Sequence, residues 1–365
     1  MKAPLPFLPF LLAALLPAQK RGELEILSEK IPSLLERTSP WLVTIQVYGG
    51  SRAALAPPAR KDGTFRKKEG KEEKKKGGPL PVPPGLPFPV ARGATTGVLL
   101  SRDGLVLTSL WSFQLQPVAV VVTLSDGRKF TARALGRDFS RGLALLRIEG
   151  RDLPVPEPAP PESFRTGSWV VALGRVFGRS LPEPSLGIVS ASGRIGGKAV
   201  QTDASTSPAN YGGALVDLSG RILGVIVPLS PAGYAAGIRW YDSGIGFAAD
   251  WRGILRVLPR LKKGEDLFPA FLGARPSPGD LGPGMRLAGV TGPAARAGLK
   301  KGDRILAFSG VPVRDPFHLQ RLLASRYAGE RVRLVASRGK RAWKVEILLG
   351  KRPLPVPGKT PFPGK

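Results

Sequence analysis

The chain has no cysteine and one histidine. Without cysteine there is no disulfide framework, and the usual zinc sites of Cys and His clusters are excluded. No metal and no cofactor are therefore expected. Acidic residues are also scarce, with 27 Asp and Glu against 55 Lys and Arg and a net charge of +28. Beyond the N-terminal segment no stretch is apolar or long enough to cross a bilayer. Abundance lies elsewhere. Hydrophobic content is 42%, ample for a packed core, and the 46 Gly and 38 Pro favour short strands and turns over a mainly helical fold. A length of 365 residues allows one domain and suits two better.

The first residues, "MKAPLPFLPFLLAALLPAQK", set Lys2 before an apolar run from Leu5 to Leu16 and a Pro17-Ala18 exit. This reads as a secretory signal peptide over residues 1–18, with an uncleaved anchor as the alternative. An exported chain without disulfides must rest on its core, which suits a periplasmic or cell-envelope location. The positive charge is uneven. Residues 60–76 hold nine Lys/Arg against four Asp/Glu, and residues 285–351 hold fifteen against four. Such a field attracts polyanions, and an anionic envelope surface is one possible partner. A solvated, soluble surface explains the same charge. No aromatic-studded nucleic-acid motif accompanies it, so no specific nucleic-acid partner is expected.

"GELEILSEKIPSLLERTSP" repeats Leu and Ile at helical spacing and ends at Pro40, and "WLVTIQVYGG" reads as a strand. Residues 51–92 form a low-complexity, Lys- and Pro-rich insertion that cannot bury enough apolar surface to fold. From Thr95 the pattern is regular. Apolar runs flank Asp103-Gly104 and Asp126-Gly127, both strong hairpin signals. "GLALLRIEG", a Pro-rich bridge, and then "WVVALGRVFG", "LGIVSASGRI", "AVQTDAS", "GALVDLSGRILGVIV" and "GIGFAADW" complete two sets of short strands. They read as two packed antiparallel β-barrels. Beyond about residue 265 a compact α+β unit follows, with a helix within "DPFHLQRLLASRY", and then a Pro-rich tail.

The ordered set "GVLLSRDGLVLTS", "LALLRI", "LGIVSASGR", "QTDAS", "NYGGALVDLSGRILGVI" and "GIGFA" resembles the HtrA/Deg family of envelope serine proteases. "PAARAGLKKGDRILAFSG" resembles the PDZ domain that follows the protease in that family. The resemblance implies a mainly β fold: a chymotrypsin-like double β-barrel over 22–260, interrupted by the 51–92 insertion, then an α+β PDZ domain over 266–350 and a tail over 351–365. It also implies a possible homotrimer or a partner protease.

The family's chemistry needs a histidine base, an orienting aspartate and a serine nucleophile beside oxyanion-hole amides. At the positions that match, this sequence has Trp111, Gly142 and Tyr211. The residue two before Tyr211 is Ala209, where the resemblance implies glycine. The single histidine, His318, lies in the second domain. A free phenol, with a pKa of about 10, is almost fully protonated at pH 7 and has no imidazole here to activate it. The expectation is a degenerate protease, with Trp111 and Tyr211 stacked over the former cleft and Gly142 making room for them. The alternative is proteolysis by a Ser–Lys dyad drawn from Ser109, Ser112, Ser205 or Ser207 with Lys198.

A PDZ domain takes an extended peptide end as an added strand. "FLGA", Phe271, Leu272, Gly273 and Ala274, resembles its carboxylate-binding loop. His318 and Leu322, four residues apart on the following helix, are expected to line the groove. Peptide or protein C-termini are the expected partners, and the positive field favours acidic ends. The fold and these sites together suggest a pseudoprotease that acts as an adaptor, a chaperone-like protein or a regulator in envelope protein quality control.

Overall fold

A computed structural model of the chain describes residues 23–49, 93–114, 116–178, 181–229, 243–280 and 282–351. The proposed signal peptide, the low-complexity insertion and nearly all of the tail lie outside these residues.

Helix α1, Glu23–Thr38, opens the described chain and runs through Pro32 into a 3-10 turn at Ser39–Trp41. Leu34 of this helix is buried, and Ile31 and Leu35 pack beside it on the core. The first set of strands is β1 Leu42–Tyr48, β2 Ala94–Leu99, β3 Leu105–Ser109, β4 Ala119–Thr123, β5 Lys129–Thr131, β6 Arg133–Asp138 and β7 Leu143–Arg147. Asp103-Gly104 joins β2 to β3, and Asp126-Gly127 joins β4 to β5, as the turn chemistry predicts. Their sheet runs β6-β7-β3-β2-β1-β4-β5, with an eighth strand added beside β6.

The second set is β8 Trp169–Gly174, β9 Glu183–Gly193, β10 Ala199–Thr202, β11 Ala214–Asp217, β12 Ile222–Ile226 and β13 Gly246–Asp250. These six close into a barrel in the order β10-β13-β12-β11-β8-β9. Between β9 and β10 lies a single turn, α2 Arg194–Gly197, whose Ile195 and Gly196 are left-handed. Helix α3, Trp251–Lys262, is capped by the Asp250 carboxylate and buries Trp251, Ile254, Val257 and Leu261. One apolar core, from Leu34 to Leu267 and joined by Tyr327, runs through both sets of strands.

The added strand is β14, Asp266–Leu267, which pairs in parallel with β6 and carries the chain into the third unit. There β15 Ala270–Phe271, β16 Ala274–Pro276, β17 Met285–Val290, α4 Gly292–Arg296, β18 Arg304–Phe308, β19 Val311–Pro312, α5 Pro316–Ala324, β20 Arg331–Arg338, β21 Arg341–Leu348 and β22 Gly350–Lys351 follow. Its sheet runs β16-β17-β18-β20-β21 and has a separate core around Leu287, Ile305, Phe308, Leu319 and Leu334. Pro316 occupies the first turn of α5, and the Asp315 carboxylate caps it through the His318 N–H. No helix among the described residues is long and apolar enough to cross a membrane.

Candidate functional site

Trp111 sits in a 3-10 turn directly after β3, where the Ser109 hydroxyl accepts its backbone N–H. Gly142 precedes β7 at φ +72°, and its carbonyl accepts the Leu110 N–H at 2.8 Å. That backbone bond holds the two segments together. Tyr211 lies in the turn that leads into β11, and its carbonyl accepts the Thr96 N–H at 3.3 Å from the first sheet. The fold thus brings all three sequence-predicted positions to one region between the two sets of strands.

The two aromatics meet edge to face, with ring centroids 6.0 Å apart and planes at 77°. This geometry is favoured by the ring quadrupoles. Trp111 is 3% exposed and Tyr211 2%. Both belong to a buried cluster with Phe164, Val170, Val189, Ala204 and Leu215. The pair is therefore part of the packed interior rather than a stack over an open cleft. The positive φ accounts for glycine at 142, since an L side chain rarely adopts it.

The turn from Ser207 to Gly213 also matters through its amides. The Ala209 N–H donates to the Ser207 hydroxyl at 3.2 Å, and the Tyr211 N–H donates to the Ser207 carbonyl at 3.0 Å. The Gly213 N–H donates to the Asn210 carbonyl at 2.9 Å. An oxyanion hole uses the amides of the nucleophile position and of the residue two before it. Here those two amides, of Tyr211 and Ala209, are turned inward onto Ser207. The sequence pointed to Ala209 as a weak spot but not to the role of Ser207.

Three of the four serines considered for a Lys dyad have other partners for their side chains, and the fourth, Ser205, is exposed. Ser112 and Thr95 share a hydroxyl–hydroxyl bond of 2.6 Å, Ser109 caps Trp111, and Ser207 holds Ala209. Lys198 is buried and donates to Ser140, a serine that spacing did not single out. Ser140 follows the buried Asp138, which accepts its backbone N–H at 2.8 Å. Among the described residues no group of three His, Cys, Asp or Glu side chains could hold a metal ion.

In the third unit, Gly273 takes φ +79° and lets the chain turn beneath Thr291, whose carbonyl oxygen would lie 2.0 Å from an added Cβ. The Leu272 side chain is 2% exposed and sits in the core, so only its backbone can face a ligand. Ala274 and Leu322 pack at the margin of that same core. Phe271 is half-buried and lies against Gly292. His318 is half-buried, and its Nδ1 accepts the Arg314 N–H at 3.3 Å. The predicted loop and helix are therefore neighbours around one core, with Leu272 the member whose side chain turns inward.

A family model for the trypsin-like peptidase domain matches residues 95–225, and one for the PDZ domain matches residues 288–338. The chain is 32% identical over 290 residues to a probable periplasmic serine endoprotease DegP-like of Brucella suis biovar 1, covering 74% of this chain and 54% of that protein. It is 31% identical over 268 residues to a protein of the same description from Chlamydia muridarum, covering 67% of this chain and 52% of that protein. The chain thus spans about half the length of these curated relatives. Among solved structures, "HtrA-type protease AlgW with tripeptide" superposes with a TM-score of 0.64 at 25% identity, covering 89% of this chain and 98% of that one. "HtrA-type protease AlgW with decapeptide" does so at 0.61 and 27%, covering 89% and 99%. With a trypsin-like peptidase domain, a PDZ domain and these relatives, the chain is a homologue of the DegP/HtrA serine endoproteases.

Proposed function

We propose that the chain is a non-catalytic HtrA-like protein, exported to the periplasm or cell envelope, that works through its PDZ domain. One observation carries the reading: Trp111 and Tyr211 fill the interior, edge to face, where the family resemblance places base and nucleophile. Two further points support it. The only imidazole of the chain is on α5, outside both sets of strands. The amides that would stabilise an oxyanion are held by Ser207. Losing one triad member costs orders of magnitude in rate, and a closed oxyanion hole removes the residual stabilisation as well. The PDZ domain would take protein or peptide C-termini, making the chain an adaptor, a chaperone-like protein or a regulator in envelope protein quality control. A homotrimer or a complex with an active protease is compatible with this role.

The test is digestion of unfolded casein by the purified chain, beside a variant with Trp111→His, Gly142→Asp and Tyr211→Ser. No cleavage by the natural chain is expected. A thermal melt accompanies the variant, because removing two buried aromatics costs stability. The competing reading, an active serine endopeptidase with an unorthodox site, draws on the names of the relatives. Cleavage that co-purifies with the natural chain and survives Tyr211→Phe would establish that reading instead.

A further inference from the structure

Strand β16 is an edge strand, bonded on one side to β17 and, among the described residues, paired with no strand on the other. In an antiparallel pair, successive residues point their N–H and C=O groups alternately to the two sides. The phase is settled here by two bonds. The Gly273 carbonyl accepts the Thr291 N–H at 2.7 Å, and the Ser277 N–H donates to the Arg286 carbonyl at 2.8 Å. Gly273, Arg275 and Ser277 therefore face β17, and Ala274 and Pro276 face the free edge. The edge begins at the Gly273 turn, beside the core margin where Ala274 and Leu322 pack.

The free edge thus offers one full backbone pair. Ala274 has both an N–H and a C=O. Pro276 has a C=O and no N–H. Beyond it the strand ends in a turn at Pro278-Gly279, with Gly279 at φ +70°. An added peptide strand gains affinity from its main-chain ladder as well as from side-chain pockets. On this edge the ladder stops almost where it starts.

We propose that the groove reads only the extreme end of its ligand, the carboxylate and the last two or three residues, because Pro276 lacks one ladder donor and the turn at Pro278-Gly279 ends the strand directly after it. The proposal rests on the peptide-binding reading of the PDZ domain above. The terminal residue pairs with Ala274 through its own N–H. The residue two positions before it faces Pro276 and can donate to its carbonyl but receives nothing back. Residues further upstream have no strand to join. Clients would therefore be selected by the last side chains, with little influence from the preceding sequence.

The test uses the full chain and synthetic acetylated peptides of three and ten residues that share one C-terminus. That C-terminus is chosen by selecting the chain against random decapeptides with free C-termini. The amidated decapeptide is the control, and binding is followed by fluorescence competition. The tripeptide and decapeptide should bind within about threefold of each other, and amidation should abolish binding. Pro276→Ala restores one donor and should tighten both peptides by about three- to tenfold, the worth of one net hydrogen bond. A decapeptide that binds the natural chain more than tenfold tighter than the tripeptide overturns the proposal without any variant. Unchanged affinities in a folded Pro276→Ala chain overturn it as well. If no free C-terminus is selected, or amidation has no effect, the peptide-binding reading itself fails, and the length limit falls with it.

Discussion

The Tyr327 hydroxyl donates to the Asp138 carboxylate at 2.9 Å, joining residues 189 apart in the chain across the joint between the first sheet and the third unit. Arg141 donates to the same carboxylate oxygen at 3.0 Å and also to the Tyr327 hydroxyl. All three are buried. Burial, and then the neighbouring carboxylate, push the Tyr327 hydroxyl far above its ordinary range, so it remains a donor at every working pH. Around them, β14 pairs with β6, Phe139 stacks on Phe268 with centroids 4.5 Å apart, and Arg137 pairs with Asp266.

Tyr327→Phe should loosen this joint. It removes the donor to Asp138 and the acceptor of Arg141 while keeping the ring. Leaving a buried donor or acceptor short of a partner costs about 1–3 kcal/mol, and more where the group is charged. The expected result is a lower melting temperature and faster proteolytic nicking near residues 263–269. A variant with unchanged melting and unchanged nicking would show that the network adds nothing to the docking.

Gly196→Ala should act on a second contact, between the turn joining β9 to β10 and α5 of the third unit. Gly196 has φ +67°, and an added Cβ would lie 2.2 Å from the Cβ of Ala324 at the end of α5. Both the left-handed backbone and the contact oppose a side chain. A loss of at least about 1 kcal/mol is expected in denaturant titrations. Wild-type stability in this variant would mean that the turn and α5 separate readily.

Trp111→Ala should be among the most costly single changes in the chain. Removing a buried Trp or Phe side chain typically costs about 3–5 kcal/mol through lost burial and the cavity left behind. Tyr211→Ser should also destabilise, which is why the triad revertant needs its own melt. A Trp111→Ala loss below about 1 kcal/mol in urea would contradict tight packing of the pair.

Acid should weaken the third unit partly through Asp303. This buried carboxylate receives Arg338 Nε at 2.7 Å, a second Arg338 N–H at 3.0 Å and the Lys300 N–H at 2.7 Å. The Arg338 hydrogen bonds, first, and then the Lys300 amide hold it below the ordinary carboxylate pKa of about 3.9. The unfolded state then binds the proton more readily. The stabilisation is present above the unfolded value and is lost as pH falls through the folded one. Urea midpoints from pH 6 down to pH 2 should show the gap between the natural chain and Asp303→Asn narrowing as pH falls. A gap independent of pH would exclude this carboxylate as a source of acid sensitivity.

Much of this protein is decided by neighbours in the chain. Asp103-Gly104 and Asp126-Gly127 make hairpins because their backbone preferences match the turn. Asp315 and Pro316 start α5 by capping and by a preset φ. The order of motifs identifies the double set of strands and the PDZ unit, and a single histidine in the wrong unit argues against an imidazole base. These signals are legible because each acts over a few residues. The rest required the fold. The contact between Trp111 and Tyr211 spans 100 residues and depends on how two sets of strands pack. That Ser207 holds the Ala209 and Tyr211 amides depends on one hydroxyl rotamer and one turn. Lys198 has several serines within plausible reach in sequence, and packing selected Ser140. Pro276 is one of 38 prolines in the sequence, and that it lies on a strand and which edge it disarms followed only from the fold and the bonds of Gly273 and Ser277 to β17. Local chemistry limits the conformations of each segment. Which distant groups meet is set by packing and by the need to pair buried polar groups, and those terms exist only once the chain has folded.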